Sequence, residues 1–256
     1  MELSTAWVKY VNRLSAIDKL ATDKMGEVIG SIANFDFGNT EHMAILVYGA
    51  YRISTTYGEA AATLAAEMYD AIGLASGMFL DPAEVAATAR IAQVEWTVKG
   101  AAKTQNVHEV ASAVGRLVKK TGVDTVLQNA KRDGAEVAWV PNGDTCAFCI
   151  TLASRGWRDA DSSYQEHIHS NCDCTLATRF NTSTSIKGYD PEVYEEMYYD
   201  APLLKGQRAS GKNRINALRR EFYAKNKEKI NEQKRIAYAE RREMLNSSEA
   251  EEINVN

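Results

Sequence analysis

A chain of 256 residues, 45% of them hydrophobic and 25% charged, can bury one sizeable core or two small ones, which excludes wholesale disorder. Its formal charge of −4 hides an asymmetry: Lys205–Glu243 holds 13 Lys and Arg against 5 Glu, a local +8, while the 204 residues before it carry −9. The longest uncharged apolar stretch, Met43–Tyr51, falls far short of the roughly 20 residues a membrane span needs, and the N-terminus lacks a basic region followed by an apolar one. Neither a membrane partner nor a secretory signal is therefore expected. A cytosolic chain keeps its thiols reduced, so its cysteines point to metal binding or catalysis rather than to disulfides.

The first 135 residues read as helical. Trp7, Val11, Leu14, Ile17 and Met25 recur near a 3.6-residue period, and "IANFDFGN" then breaks the pattern. A second helix is expected from about Thr40 through Ile72, with Gly49 or Gly58 as places where it stops and restarts. Asp81-Pro82-Ala83-Glu84 combines a capping acid, a proline at the first helical position and a glutamate at the third, which predicts a helix start. Asn106-Val107-His108-Glu109 predicts another, stopping near Gly122, and "VDTVLQNAKRD" a further helix ending near Gly134. His42 and His108 sit at helix starts, as exposed residues or neighbours of caps.

After Gly134 the character changes. Glu136–Val140, "EVAWV", is a short β-like run closed by the turn signal Pro141-Asn142-Gly143. Asp144 can cap a short helix holding Cys146 and Cys149, closed near Gly156. "CTLATRF", from Cys174 to Phe180, is a second β-like run, and "NTSTSIKG" reads as a loop. Asp190-Pro191-Glu192 opens a tyrosine-rich helix, in which Tyr194 and Tyr198 read as packing residues. The remainder, "NRINALRREFYAKNKEKINEQKRIAYAERREML", reads as a long basic helix with a narrow apolar stripe. The expected fold is mainly α with a small α/β zinc-stapled segment. Its parts are a helical region 1–122, the small segment 123–188 with the Cys/His cluster, and a helical arm 189–256, basic and then acidic.

All four cysteines lie in two patches, Cys146-x-x-Cys149 and Cys172-x-Cys174, the second preceded by His167 and His169. Two thiolates three residues apart can face one ion, with the other ligand pair supplied by a distant segment. The favoured set is Cys146, Cys149 and His169 with Cys172 or Cys174; the all-cysteine set stands next and His167 last. Pinning both β-like runs to one zinc would close a segment with little apolar content of its own. Structural zinc supplies apparent binding energies of roughly 10–16 kcal/mol to such folding.

The competing readings are idle reduced cysteines, a redox pair and a catalytic metal. No βαβ pattern surrounds the Cys-x-x-Cys pair, which weakens the redox reading. With so many donors at hand a filled, structural shell is easier to build than the open one catalysis needs, although Glu166 could serve as a base. The order of the histidine and cysteine motifs is the reverse of that in zinc deaminases. No phosphate-binding loop, nucleophile elbow or dinucleotide fingerprint occurs.

In the basic segment, Arg219-Arg220, Lys234-Arg235 and Arg241-Arg242 accompany Phe222, Tyr223 and Tyr238. That mix suits a solvated helix face, an acidic protein surface or the phosphate backbone of nucleic acid. There is no heptad seam and no groove-reading helix, which argues against sequence-specific DNA binding.

The stretch "AWVPNGDTCAFCITLASRGW", with "HIHSNCDCTL" after it, resembles the C-terminal motif of phage head morphogenesis proteins related to protein F of phage Mu, the minor head or minor capsid proteins. The matching positions are Asp144, Cys146, Cys149, His169, Cys172 and Cys174; Ser170 stands where that family often has proline. The tail "INALRREFYAKNKEKINEQKRIAYAERR" is similar to those of minor capsid proteins in prophages of Gram-positive bacteria. The resemblance implies a non-catalytic virion protein, assembled in the host bacterial cytoplasm and held in few copies near the portal protein or inside the major capsid shell. It also leaves room for contact with packaged DNA through Lys205–Arg242. Two other readings stand beside it: a metal-dependent hydrolase or nuclease, and a cytosolic zinc module that binds nucleic acid.

Overall fold

The computed structural model describes residues 3–142, 147–160, 174–181, 186 and 188–200, together with positions 224, 227, 228, 231, 232 and 235. Those last six are helical, as expected of the basic segment, but the long C-terminal helix as a whole lies outside the described residues.

Three long helices form the body: α1 (Leu3–Gly30), α2 (Thr40–Ala75) and α4 (Val107–Asp133), each packed on the other two. Trp7, Tyr10, Leu14, Ala21 and Met25 line the buried stripe of α1, as the periodicity predicts, while Val11 and Ile17 flank it half-buried. Leu46, Ile72, Val110 and Val126 are wholly buried on the other two helices. Burial of each such side chain contributes roughly 1.5–3 kcal/mol. The α1–α2 loop ends on Asn39, whose side chain accepts from Glu41 N and His42 N at 2.8 and 3.2 Å, and Asn106 caps α4 through His108 N at 2.9 Å. His42 is half-buried, its Nδ1 accepting from Asp36 N at 3.1 Å, whereas His108 is exposed.

Three expectations about helix ends are corrected. Gly49 and Gly58 lie inside an unbroken α2, and Gly122 lies inside an unbroken α4. At these positions the absent side chain admits a neighbouring helix. A Cβ on Gly122 would stand 3.3 Å from both the Ala61 carbonyl oxygen and the Tyr10 hydroxyl, and one on Gly49 would stand 2.9 Å from Val28 Cγ1. The true end of α4 is Gly134, with φ of +65°, where Ala135 N bonds back to Ala130 O at 2.8 Å.

The third correction concerns Asp81–Glu84, where no helix starts; α3 spans Ile91–Ala102 instead. Residues 78–90 form an irregular strap across α2 and α4. Its amides are satisfied by side chains of the body: Ala83 N by Asp70 Oδ1, Glu84 N by Asn129 Oδ1 and Ala86 N by Thr125 Oγ1, at 2.9–3.0 Å. Its carbonyls accept from Gln128, Asn129 and Arg132. The carbonyls of Asp81, Pro82 and Glu84 and the Ala86 amide, which a helix would have bonded internally, are thus taken by the body, and the local capping signal is overruled.

A small antiparallel sheet in the order β2-β1-β3 packs on this body: β1 (Glu136–Val140), β2 (Arg158–Asp159) and β3 (Thr175–Arg179). Two short helices complete the described chain, α5 (Ala147–Ala153), which packs on β1, and α6 (Pro191–Asp200), which packs on α5. β1, β3, α5 and α6 match the expected runs; β2 was not anticipated. The mainly α architecture holds, with the sheet confined to the region of the cysteines.

Candidate metal centre

β1 is buried on both faces at Val137, Ala138, Trp139 and Val140, because α4 and α5 pack against it and it is the middle strand. Its β-branched and aromatic residues suit that position. The register with β3 places Glu136 opposite Arg179 and Val140 opposite Thr175. The last residue of β1 therefore faces the first of β3. Beyond Val140, Asn142 Nδ2 donates to Val140 O at 3.1 Å and to Thr175 Oγ1 at 2.9 Å.

This register decides where the two cysteine patches attach. One patch follows β1 in the chain, and the other runs directly into β3. Both therefore depart from the same end of the sheet. Cys174, next to Thr175, is 6% exposed, and Cys149, on α5, is 1% exposed. Cys146, His169 and Cys172 lie outside the described residues, as do His167 and Glu166. Among the described residues no group of three or more His, Cys, Asp or Glu side chains gathers around one point.

The donor chemistry fits a zinc ion. The two described thiols are buried, and Cys146 and Cys172 precede them by three and two positions along the chain. Cys146, Cys149, His169 and Cys172 or Cys174 are the residues that would hold it. Bound there, zinc would supply a four-coordinate crosslink rather than an open coordination position.

At the other end of the strand pair, and at α6, aromatic residues pack on the sheet. The Arg179 guanidinium lies 4.9 Å from the centroid of Trp157 and bonds Glu136 Oε2 at 2.7 Å. Trp157 meets Tyr189 edge-on at 5.9 Å, and Tyr189 lies 5.9 Å from Tyr194. Burial pushes both tyrosine hydroxyls well above their ordinary range; the nearby Cys174 adds to the effect on Tyr194. Tyr194 is thus a packing residue, as read from the sequence. Nothing in the sequence marks Trp157, Arg179 and Tyr189, whereas Asn142 belongs to the signal Pro141-Asn142-Gly143, where an asparagine side chain readily bonds nearby backbone.

The profile of the family described as VG15 protein matches residues 1–201, taking in the helical body, the sheet, both cysteine patches and α6. No curated protein and no solved structure matches the chain. No helix among the described residues is long and apolar enough to cross a membrane.

Proposed function

The chain belongs to the VG15 protein family, a phage gene family, and from that premise we propose that it is a minor head (minor capsid) protein acting in head morphogenesis without catalysis. The observation that carries this reading is the family match over residues 1–201, joined to cysteine patches that resemble the minor head motif. The proposed location is the virion head, beside the portal protein or on the inner face of the major capsid protein. The role of the metal is structural: zinc held by Cys146, Cys149, His169 and Cys172 or Cys174 ties the two patches together at the end of the sheet where Val140 faces Thr175.

The charge distribution supports the proposed partners. A body of net −9 bearing a segment of +8 can meet a protein surface with one part and DNA phosphates with the other. The family match ends at residue 201, before Lys205–Arg242, so contact with packaged DNA is proposed for a part of the chain outside it.

Mass spectrometry of purified particles, quantified against the portal and major capsid proteins, tests this function. A low, reproducible copy number comparable to that of the portal is expected. Absence from every assembled head, immature and mature, would contradict it.

A further inference from the structure

We propose that the strap, residues 78–90, is a docking element, held by its backbone so that Phe79 and Val85 face a protein partner with an apolar recess edged by Lys or Arg. Its candidate partners, the portal and major capsid proteins, rest on the head-protein reading above.

An irregular segment keeps one shape only when something other than its own hydrogen bonds fixes it. Here five side chains of α2 and α4 do so: Asp70, Thr125, Gln128, Asn129 and Arg132 bond amides and carbonyls of the strap. Thr125 and Asn129 are buried, so polar groups of the core are committed to this backbone. Two glycines of α2 admit the strap's inward side chains. A Cβ on Gly73 would stand 2.8 Å from Leu80 Cδ1, and one on Gly58 would stand 3.2 Å from Thr88 Cγ2. The strap is thus pinned near both ends and through its middle.

What it turns to solvent is apolar. Phe79 is fully exposed and Val85 is 56% exposed, with Leu74, 75% exposed, close by at the end of α2. An aromatic side chain on a segment already ordered can bind without the entropy cost of ordering that segment. The charged residues between Met78 and Ala89 are Asp81 and Glu84, both exposed, so this face carries −2. That charge opposes nucleic acid and anionic lipid. A second copy meeting the same face about a twofold axis would set these carboxylates against their own like. A basic-edged protein surface is the partner that complements them.

The test measures binding of the full chain to purified portal and major capsid proteins of the same phage, and copies per purified head. Two strap variants, Phe79→Ser with Val85→Ser and Asp81→Lys with Glu84→Lys, are compared with Trp96→Ser, an exposed apolar control on α3. Both strap variants should fold, as their melts will show, yet bind at least tenfold more weakly with a matching fall in copies per head. Trp96→Ser should behave as wild type. Undiminished binding by the strap variants, or an equal loss in Trp96→Ser, would overturn the strap as the docking surface and leave the head-protein reading standing. A wild-type chain that binds neither protein would overturn the docking proposal, and self-association abolished by Phe79→Ser with Val85→Ser would then identify a second copy as the occupant. Absence of the wild-type chain from every head, with strap-dependent binding intact, would contradict the head-protein reading alone.

Discussion

The side-chain amide of Asn142 donates to the hydroxyl of Thr175 at 2.9 Å, clamping the exit of β1 to the entry of β3. The same amide donates to Val140 O at 3.1 Å, so one side chain ties the exit of β1 both to its own last carbonyl and to β3. Asn142→Ala should lower stability by about 1–2 kcal/mol, seen as a reduced midpoint in urea unfolding with an unchanged slope. If the clamp positions the cysteine patches, the variant should also hold zinc more weakly. An unchanged midpoint would show that the two strands need no clamp.

Acidification should weaken the junction of α4 with α2. Hydrogen bonding by the Arg132 guanidinium holds the Asp133 carboxyl below its ordinary range, and the buried Tyr69 hydroxyl donates to it at 2.9 Å. A carboxylate whose folded pKa is depressed contributes stability that is fully present above its unfolded pKa of about 3.9 and is lost as pH falls through the lower folded value. Thermal melts of Asp133→Asn should therefore start lower at neutral pH and decline less than wild type below about pH 4. Parallel declines would remove Asp133 from the acid response.

The strap should come loose when its anchor is cut. Asn129, 1% exposed, accepts from Glu84 N at 2.9 Å and donates to Glu84 O at 2.8 Å. Asn129→Ala leaves both strap groups without this partner in a partly buried place, a cost of roughly 1–3 kcal/mol. Hydrogen exchange should rise over residues 81–86 before it rises in α1. Uniform protection across the variant would contradict the assignment of Asn129 as the anchor.

Helix glycines should divide by their surroundings. A Cβ on Gly115 would collide with Asp18 Oδ1 and Thr22 Oγ1, next to the 3.0 Å ion pair between Asp18 and Lys119. Gly115→Ala should cost about 1–3 kcal/mol through overpacking. Gly26 and Gly100 have nothing within 4 Å of the added atom, so alanine there should stabilise by about 0.5–1 kcal/mol. Thermal melts of the three variants check this; a stabilised Gly115→Ala would mean that α1 and α4 are less closely packed than described.

How far the fold could be read from sequence depended on whether a signal was local. The stripe Trp7, Leu14, Met25 and the caps Asn39 and Asn106 act within one helix, and the elements they predict are present. β1 and β3 were legible because each is a compact run with β-branched residues, joined in β1 by Trp139 and followed in β3 by Phe180. Asp81–Glu84 misled because its donors are taken by Asp70, Thr125 and Asn129, distant in sequence. Gly122 read as a helix stop because a glycine admitting a neighbouring backbone looks the same in sequence as one ending a helix. β2 has two polar residues and no periodicity to detect.

The candidate site divides similarly. Cysteine spacing marked the two patches, and the β1–β3 register brings their attachment points to one end of the sheet. The bond from Asn142 at that end, and those of Trp157, Arg179 and Tyr189 elsewhere around the sheet and α6, are contacts across the chain that spacing does not encode. Cys146, His169 and Cys172 lie outside the described residues, so the choice among ligand sets rests on donor chemistry.

The claim on which the account turns is that both patches grip one ion. Zinc per chain, measured by elemental analysis on the purified full-length protein and on Cys149→Ser and Cys174→Ser, tests it most directly. One zinc per wild-type chain is predicted, lost in Cys149→Ser together with a marked fall in melting temperature. Loss in Cys174→Ser as well would make Cys174 a ligand, and retention there would leave Cys172 as the ligand from that patch. Wild-type protein without zinc, or Cys149→Ser with full zinc and an unchanged melt, would contradict the account.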